Sequence, residues 1–290
     1  MDIQEAAKPD IRPEVGPKPN EAGSEIRIEG LKKAFGDHRV LDGVDLDIRR
    51  GDIVAIVGGS GCGKTVLLNH ILGELIPDAG SVRVVDYRKP DEPLVDIATL
   101  DDHEFDLIQT RWGVVFQRNA LFSGTVYDNI ELWLKEVRDL DDEEIEAIAE
   151  RVLAAVALPE GAEFLHTTIE SLSGGMAKRL AIARAISMEP KVIFYDEPTT
   201  GLDPTSAAQI QDLVFATHHE GAPAPPGRTT VIITHDKDLL NRLHPRIVLL
   251  HDGRVAFDGP FAEFEASDTP VIRPYFDLMP VLHRRPAPSA

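Results

Sequence analysis

The sequence predicts an α/β fold built around a phosphate-binding loop, and three observations carry that reading. An apolar, β-branched run, Ile53-Val54-Ala55-Ile56-Val57, leads into Gly58-Gly59-Ser60-Gly61-Cys62-Gly63-Lys64-Thr65, after which Val66, Leu67, Ile71 and Leu72 recur at helical spacing. Two more apolar runs, 192–195 and 231–234, end in Asp196-Glu197 and in His235. Short runs without polar alternation read as parallel strands buried on both faces.

The remaining elements follow in order. Residues 1–24 hold Pro9, Pro13, Pro17 and Pro19 among charges and no hydrophobic stretch, which predicts a flexible tail rather than a signal peptide. Residues 25–31 alternate around Ile26 and Ile28, and Val44, Leu46 and Ile48 alternate likewise before the turn Arg49-Arg50-Gly51-Asp52. These predict an antiparallel layer leading into the nucleotide core. Residues 82–85 predict a further strand, and the polar, proline-marked stretch 86–103 an irregular excursion. A helical region follows. Ile145, Ile148, Val152 and Val156 share one face of 142–158, with acids on the other. Ser173 is placed to cap a helix running from Gly174 until Pro190 stops it. Asp252-Gly253 is a hairpin signal between 247–250 and 254–257, and 221–227 reads as a surface loop.

A chain of 290 residues buries a full core, as one or two domains. No apolar run approaches the roughly 18–20 residues needed to cross a bilayer, so a cytoplasmic location is expected. The single cysteine, Cys62, excludes an internal disulfide, and its place in a tight turn calls for a small side chain more than for a redox switch. The formal charge of −19 argues against a nucleic-acid partner, which requires clustered Lys and Arg. Runs such as Asp101-Asp102 and Asp141-Asp142-Glu143-Glu144 read as solvated acid.

The loop at 58–65 fits G-x-x-x-x-G-K-[ST]. Its glycines let backbone N–H groups turn onto phosphate oxygens with no Cβ in the way. Lys64 can reach the β- and γ-phosphates, and the Thr65 hydroxyl can ligate Mg²⁺. A dinucleotide-binding G-x-G-x-x-G reading fails, because the third glycine would fall on Lys64. Asp196, closing a strand, suits a Mg²⁺ ligand, and Glu197 beside it suits a base for the attacking water. His235 lies where ligands bind at the carboxyl edge of such sheets, placed to contact the γ-phosphate or orient the water. Gln117, after Val114-Val115-Phe116, has an amide suited to the Mg²⁺ and water network. Ser173-Gly174-Gly175 is a second glycine-rich helix start, and so a second candidate anion site. One phosphate loop already serves this chain, so the second site is expected to serve a nucleotide held by another copy.

These residues together resemble the nucleotide-binding subunits of ATP-binding cassette (ABC) transporters, over about residues 25–260. Leu172-Ser173-Gly174-Gly175-Met176 resembles the family signature, Asp196-Glu197-Pro198 the Walker B segment, Gly201-Leu202-Asp203 the D-loop, Gln117 the Q-loop and His235 the switch histidine. Phe35 stands where the family places an aromatic on adenine. The resemblance implies a P-loop NTPase (RecA-like) core with an antiparallel β-subdomain and an α-helical subdomain at about 104–188. It implies ATP and Mg²⁺ held by Phe35, by Gly58, Gly59, Ser60, Gly61, Cys62, Gly63, Lys64, Thr65 and Val66, and by Ser173, Gly174, Gly175 and Asp203. Thr65, Gln117 and Asp196 would hold the metal, with Glu197, His235, Lys64 and Gln117 at the chemistry. It also implies a head-to-tail homodimer driving an integral membrane permease, with Leu121, Phe122 and Tyr127 as candidate apolar contacts for that partner.

Met176, where most of the family has glutamine, narrows the resemblance. The runs 172–179, 116–122 and 126–130 are similar to the ATPases of Mla/Mce-type phospholipid transporters. That implies a peripheral place on the cytoplasmic face of the inner membrane, an Mce-domain lipid-binding partner and a small regulatory subunit. The alternatives are the ATPase of an ABC transporter for amino acids, metals or drugs, and a soluble ABC ATPase acting on nucleic acid or ribosomes. The extension 261–290 carries Phe261, Phe264, Tyr275, Phe276, Leu278, Met279 and Leu282, too apolar to stay free in water. It is expected to pack either on its own domain or across the dimer.

Overall fold

The computed structural model describes residues 23–219 and 227–279. Nearly all of the N-terminal tail and of the loop at 221–227, together with Leu282, lies outside the described residues.

Strands β1 (Ser24–Phe35) and β2 (His38–Arg49) form a long antiparallel ladder that ends with Phe35 opposite His38. β3 (Ile53–Val57) runs through the glycine loop into α1 (Lys64–Ile71). β4 (Ala79–Val85) returns beside β1, and β5 (Leu94–Asp96) adds to β4. α2 (Asp102–Gln109) and β6 (Trp112–Val115) precede the helices α3 (Val126–Arg138), α4 (Asp142–Ala155), α5 (Ala162–Leu165) and α6 (Gly174–Ser187). The chain then alternates through β7 (Val192–Asp196), α7 (Pro204–His219), β8 (Thr229–Ile233) and α8 (Lys237–Leu243). It closes with the hairpin β9 (Arg246–His251) and β10 (Arg254–Pro260), then α9 (Phe261–Ala266) and α10 (Ile272–Leu278).

Two sheets result, a four-stranded one in the order β2-β1-β4-β5 and a six-stranded one in the order β10-β9-β3-β8-β7-β6. In the second, β9, β3, β8, β7 and β6 are parallel and β10 is antiparallel to β9. The carboxyl ends of β3, β6, β7 and β8 therefore share one edge, where ligands bind in open α/β sheets. Ile26, Ile28, Leu46, Val82 and Val84 of the small sheet bury against Leu67, Leu68 and Ile71 of α1 and one face of the large sheet. Ile130, Leu134, Ile145, Val152, Leu153, Leu180 and Ile182 form a second core among α3, α4 and α6, continuous with the other face. Each such side chain contributes on the order of 1.5–3 kcal/mol.

The structure departs from two expectations. The stretch 86–103 contains β5, a 3₁₀ turn at Ile97–Thr99 and the start of α2. Asp86 explains the ordering, because its fully buried carboxylate accepts from Arg88 and is held at about 2, well below the usual range, chiefly by that bond. The acidic runs are exposed but also structural. Asp101 with Glu104, and Asp141 with Glu144, form capping boxes that start α2 and α4. Helical periodicity hides this, since caps lie just outside the repeating stripe.

The C-terminal extension packs on its own domain through residue 279. Phe261, Phe264, Ile272, Phe276 and Met279 bury with Ala55, Val57, Leu240, Ile247 and Leu249 as a third core.

Candidate functional site

The glycine loop leaves β3 at the carboxyl edge and folds over the start of α1. Gly58 and Gly63 have φ of +152° and +102°. A Cβ on Gly58 would lie 2.5 Å from both Cys62 Sγ and the Leu250 carbonyl oxygen, and one on Gly63 would meet Leu41 at 2.8 Å. Only glycine fits either place. Leu67 N–H is bonded to the Gly63 carbonyl, so the N–H groups of Lys64, Thr65 and Val66 precede the helix's own ladder. No side chain caps this end and no acid occupies its first turn. The site is thus set up for an anion. Lys64 Nζ donates to the carbonyls of Gly58 at 2.8 Å and Gly59 at 3.1 Å, folded back within reach of the loop's interior. Thr65 is exposed. Cys62 is half-buried, and burial pushes its thiol up, which suits a small packed side chain better than a reactive one.

A cleft of about 410 Å³ opens beside the loop, lined by His38, Arg39, Val40, Gly59, Ser60, Gly61, Cys62 and the hairpin turn His251-Asp252-Gly253. Phe35 does not line it, but its ladder partner His38 does. The Phe35 ring is 49% exposed, with Lys33 Nζ 5.7 Å from its centroid, so it is not a core ring.

Across the same edge, Asp196 ends β7 in register with Ile233, the last residue of β8. Burial and then the neighbouring Glu197 charge raise its carboxyl above the usual range. Glu197 itself has a left-handed backbone, φ 48°, pinned by its N–H to the Ile233 carbonyl at 2.9 Å. Its carboxylate lies 2.8 Å from His235 Nδ1 and accepts from Thr200 Oγ1 at 3.1 Å. A carboxylate only accepts, so Nδ1 is the donor. Gln117 is exposed two residues beyond β6, and its carbonyl, with that of Phe116, accepts from Lys178 Nζ at 2.9 and 3.0 Å.

Ser173-Gly174-Gly175 stands elsewhere. Ser173 Oγ accepts from Met176 N–H at 3.3 Å, capping α6, and Ser173 and Gly174 are exposed. None of the three lines the cleft. Asp203 caps α7, accepting from the N–H groups of Thr205 and Ser206, so its carboxylate, read as a nucleotide contact, serves its own helix. Leu121 and Tyr127, read as partner contacts, pack against the helical core instead. Phe122 is exposed beside α3, its backbone clamped in both directions by Asn129. Leu132, Trp133 and Val137 of α3 are exposed too.

Three residues that matter here stand outside the motifs. Lys178 is 2% exposed with no carboxylate within pairing distance among the described residues, and burial lowers it to about 8. Asp236 caps α8 and accepts from Thr199 and Gln211, tying the segment after β8 to the segment after β7. Tyr275 reaches the phosphate loop from α10. Only Asp236, directly before the helix start Lys237-Asp238-Leu239-Leu240, had a readable cue, as an N-cap.

Residues 41–200 match the family model described as ABC transporter. The chain is 32% identical over 268 residues to the chloroplastic protein TRIGALACTOSYLDIACYLGLYCEROL 3 of Arabidopsis thaliana, covering 88% of this chain and 74% of that protein. It is 36% identical over 239 residues to the glutamine transport ATP-binding protein GlnQ of Escherichia coli, covering 81% and 90%. A dimeric, post-hydrolysis structure of the ATP-binding cassette MJ0796 bound to ADP and Pi matches with a TM-score of 0.69 at 31% identity, covering 81% of this chain and 98% of that one.

Proposed function

The chain belongs to the ABC transporter family, and we propose that it energises phospholipid transport, two copies working head to tail beneath a membrane permease. It binds and hydrolyses ATP as cassettes of the family do. The observation that carries the two-copy reading is the separation of its two glycine-rich helix starts. One lines the cleft, while the other is exposed and outside it.

In this reading the glycine loop, the first N–H groups of α1 and Lys64 hold the phosphates, and Phe35 and the His38 side of the cleft face the base. Ser173-Gly174-Gly175 of one copy closes over the nucleotide of the other. Glu197 takes the proton of the water that attacks the γ-phosphate, releasing ADP and phosphate. His235 and Thr200 fix its carboxylate, and the left-handed backbone aims it. Bound Mg²⁺ would neutralise charge on the β- and γ-phosphates. Thr65, Asp196 and Gln117 are suited to hold it. Among the described residues no cluster of three or more His, Cys, Asp or Glu could hold a metal, so the nucleotide's oxygens would complete the ligand set. Phe122, Leu132, Trp133 and Val137 supply the apolar surface for a permease. No helix among the described residues is long and apolar enough to cross a membrane, which suits a peripheral subunit on the cytoplasmic face.

The lipid assignment rests on the runs around Gln117, Val126 and Ser173, and on the Arabidopsis relative, named for a glycolipid, whose match is longer than that to the glutamine ATPase. The latter, at higher identity, favours an amino-acid transporter as the second reading. Purifying the Glu197→Gln variant from membranes tests both. The expected companions are a permease, an Mce-domain protein, a small regulatory subunit and bound phospholipid. An amino-acid permease would transfer the assignment to the second reading, and a chain without any membrane companion would refute both.

A further inference from the structure

Tyr275 of α10 reaches the first residue of the phosphate loop, 217 positions away. Gly58 N–H donates to the Tyr275 hydroxyl at 2.9 Å, and the hydroxyl donates to the Gly58 carbonyl at 3.3 Å. Gly58 lies one residue past the last ladder pair of β3, Val57 opposite Leu249, and it is buried. A buried N–H left unpaired there costs roughly 1–3 kcal/mol. Burial pushes Tyr275 up to about 12, so at neutral pH the hydroxyl keeps its proton and both bonds.

The Gly58 carbonyl also accepts from Lys64 Nζ, at 2.8 Å. Any movement of Lys64 toward phosphate weakens its hold on this carbonyl and that of Gly59. Tyr275 remains on Gly58 as a second donor, so the carbonyl is not orphaned when the ammonium leaves. α10 is anchored on the other side of the site as well. Lys237, two residues after His235, lies with Nζ 3.7 Å from the centroid of the buried Phe276 ring. The same helix thus touches the phosphate loop and the segment that carries His235.

We propose that Tyr275 is a positioning residue for ATP binding: its hydroxyl fixes the Gly58 peptide and lowers the cost of moving Lys64 onto the phosphates. The test is Tyr275→Phe in the full-length chain, which removes only the hydroxyl and keeps the ring beside Phe264. The KM for ATP should rise about threefold to tenfold, the equivalent of one net hydrogen bond, with kcat changed by less than about twofold. Phe276→Leu serves as the companion, loosening α10 without touching the hydroxyl. It should lower the melting temperature more than Tyr275→Phe does and raise KM less. An unchanged KM in Tyr275→Phe would overturn the proposal. So would an equal rise in both variants, which would mark general loosening of the extension.

Discussion

The starts of α1 and α6 are both glycine-rich, and both present free N–H groups at the positive end of a helix dipole. They differ in everything around that shared geometry. The first is sunk into the sheet edge. Its Gly58 and Gly63 admit no side chain, its N-cap has no side-chain bond, and a lysine stands inside the loop. The second is capped by its own Ser173, carries no cation in its first turn and lies exposed, with Gly175 held close to Ser206. A helix terminus attracts an anion by itself only weakly. Burial, a counter-cation and glycine-only backbone suit one to hold an anion, and in the two-copy proposal exposure leaves the other as a donor surface for a neighbour.

Variants separate the two ends. Lys64→Ala removes the counter-cation and should lower ATP turnover by about a hundredfold or more and weaken ATP binding in the same chain, as loss of a transition-state donor does. Ser173→Arg should lower turnover on the order of tenfold to a hundredfold while leaving the ATP affinity of a single chain within about threefold, if the second helix start acts only between copies as proposed. Equal loss of affinity in both variants, measured by nucleotide titration, would break the contrast.

Lys178→Met sharpens it, because this lysine ties α6 to the Phe116 and Gln117 carbonyls within one chain. Turnover should fall about threefold to tenfold, while thermal stability holds or rises, since a buried charge is exchanged for an apolar side chain of similar length. Calorimetry showing a large loss of stability would contradict this.

An effect on stability alone lies away from both ends, at Glu25. It is buried against Tyr87, and burial raises it to about 7. The folded chain then binds this proton more tightly than the unfolded chain, so the contribution of Glu25 to stability is full below its ordinary value near 4.5 and is lost as pH rises to about 7. Denaturation of Glu25→Gln across this range should show its advantage over the parent growing by about 1–3 kcal/mol, with the KM for ATP unchanged. A pH-independent difference would remove the assignment.

The strands of the nucleotide core and the helix after the glycine loop were legible because their signals are local. Five apolar residues before a glycine run need no distant partner to be read. Ser173 was legible as a cap for the same reason. The pairing of His235 with Glu197 was not, although each was singled out, because it depends on β7 and β8 being neighbours and on the left-handed backbone at Glu197. Leu121 and Tyr127 looked like surface anchors because an apolar residue beside a loop reads the same whether it faces solvent or the α3–α6 core. Asp203 fits the D-loop pattern, yet the pattern does not reveal that its carboxylate caps α7. Tyr275 was visible only as one of several aromatics in the extension, and its bond to Gly58 is set by tertiary packing alone.

The most direct measurement of the two-copy site is the solution mass of the Glu197→Gln chain by light scattering, with and without ATP and Mg²⁺. The expected result is twice the mass of one chain with nucleotide, one chain's mass without it, and a return to one chain when Ser173→Arg is added. A chain that binds ATP yet keeps a single-chain mass, or a pair that persists unchanged in the Ser173→Arg background, would contradict the account.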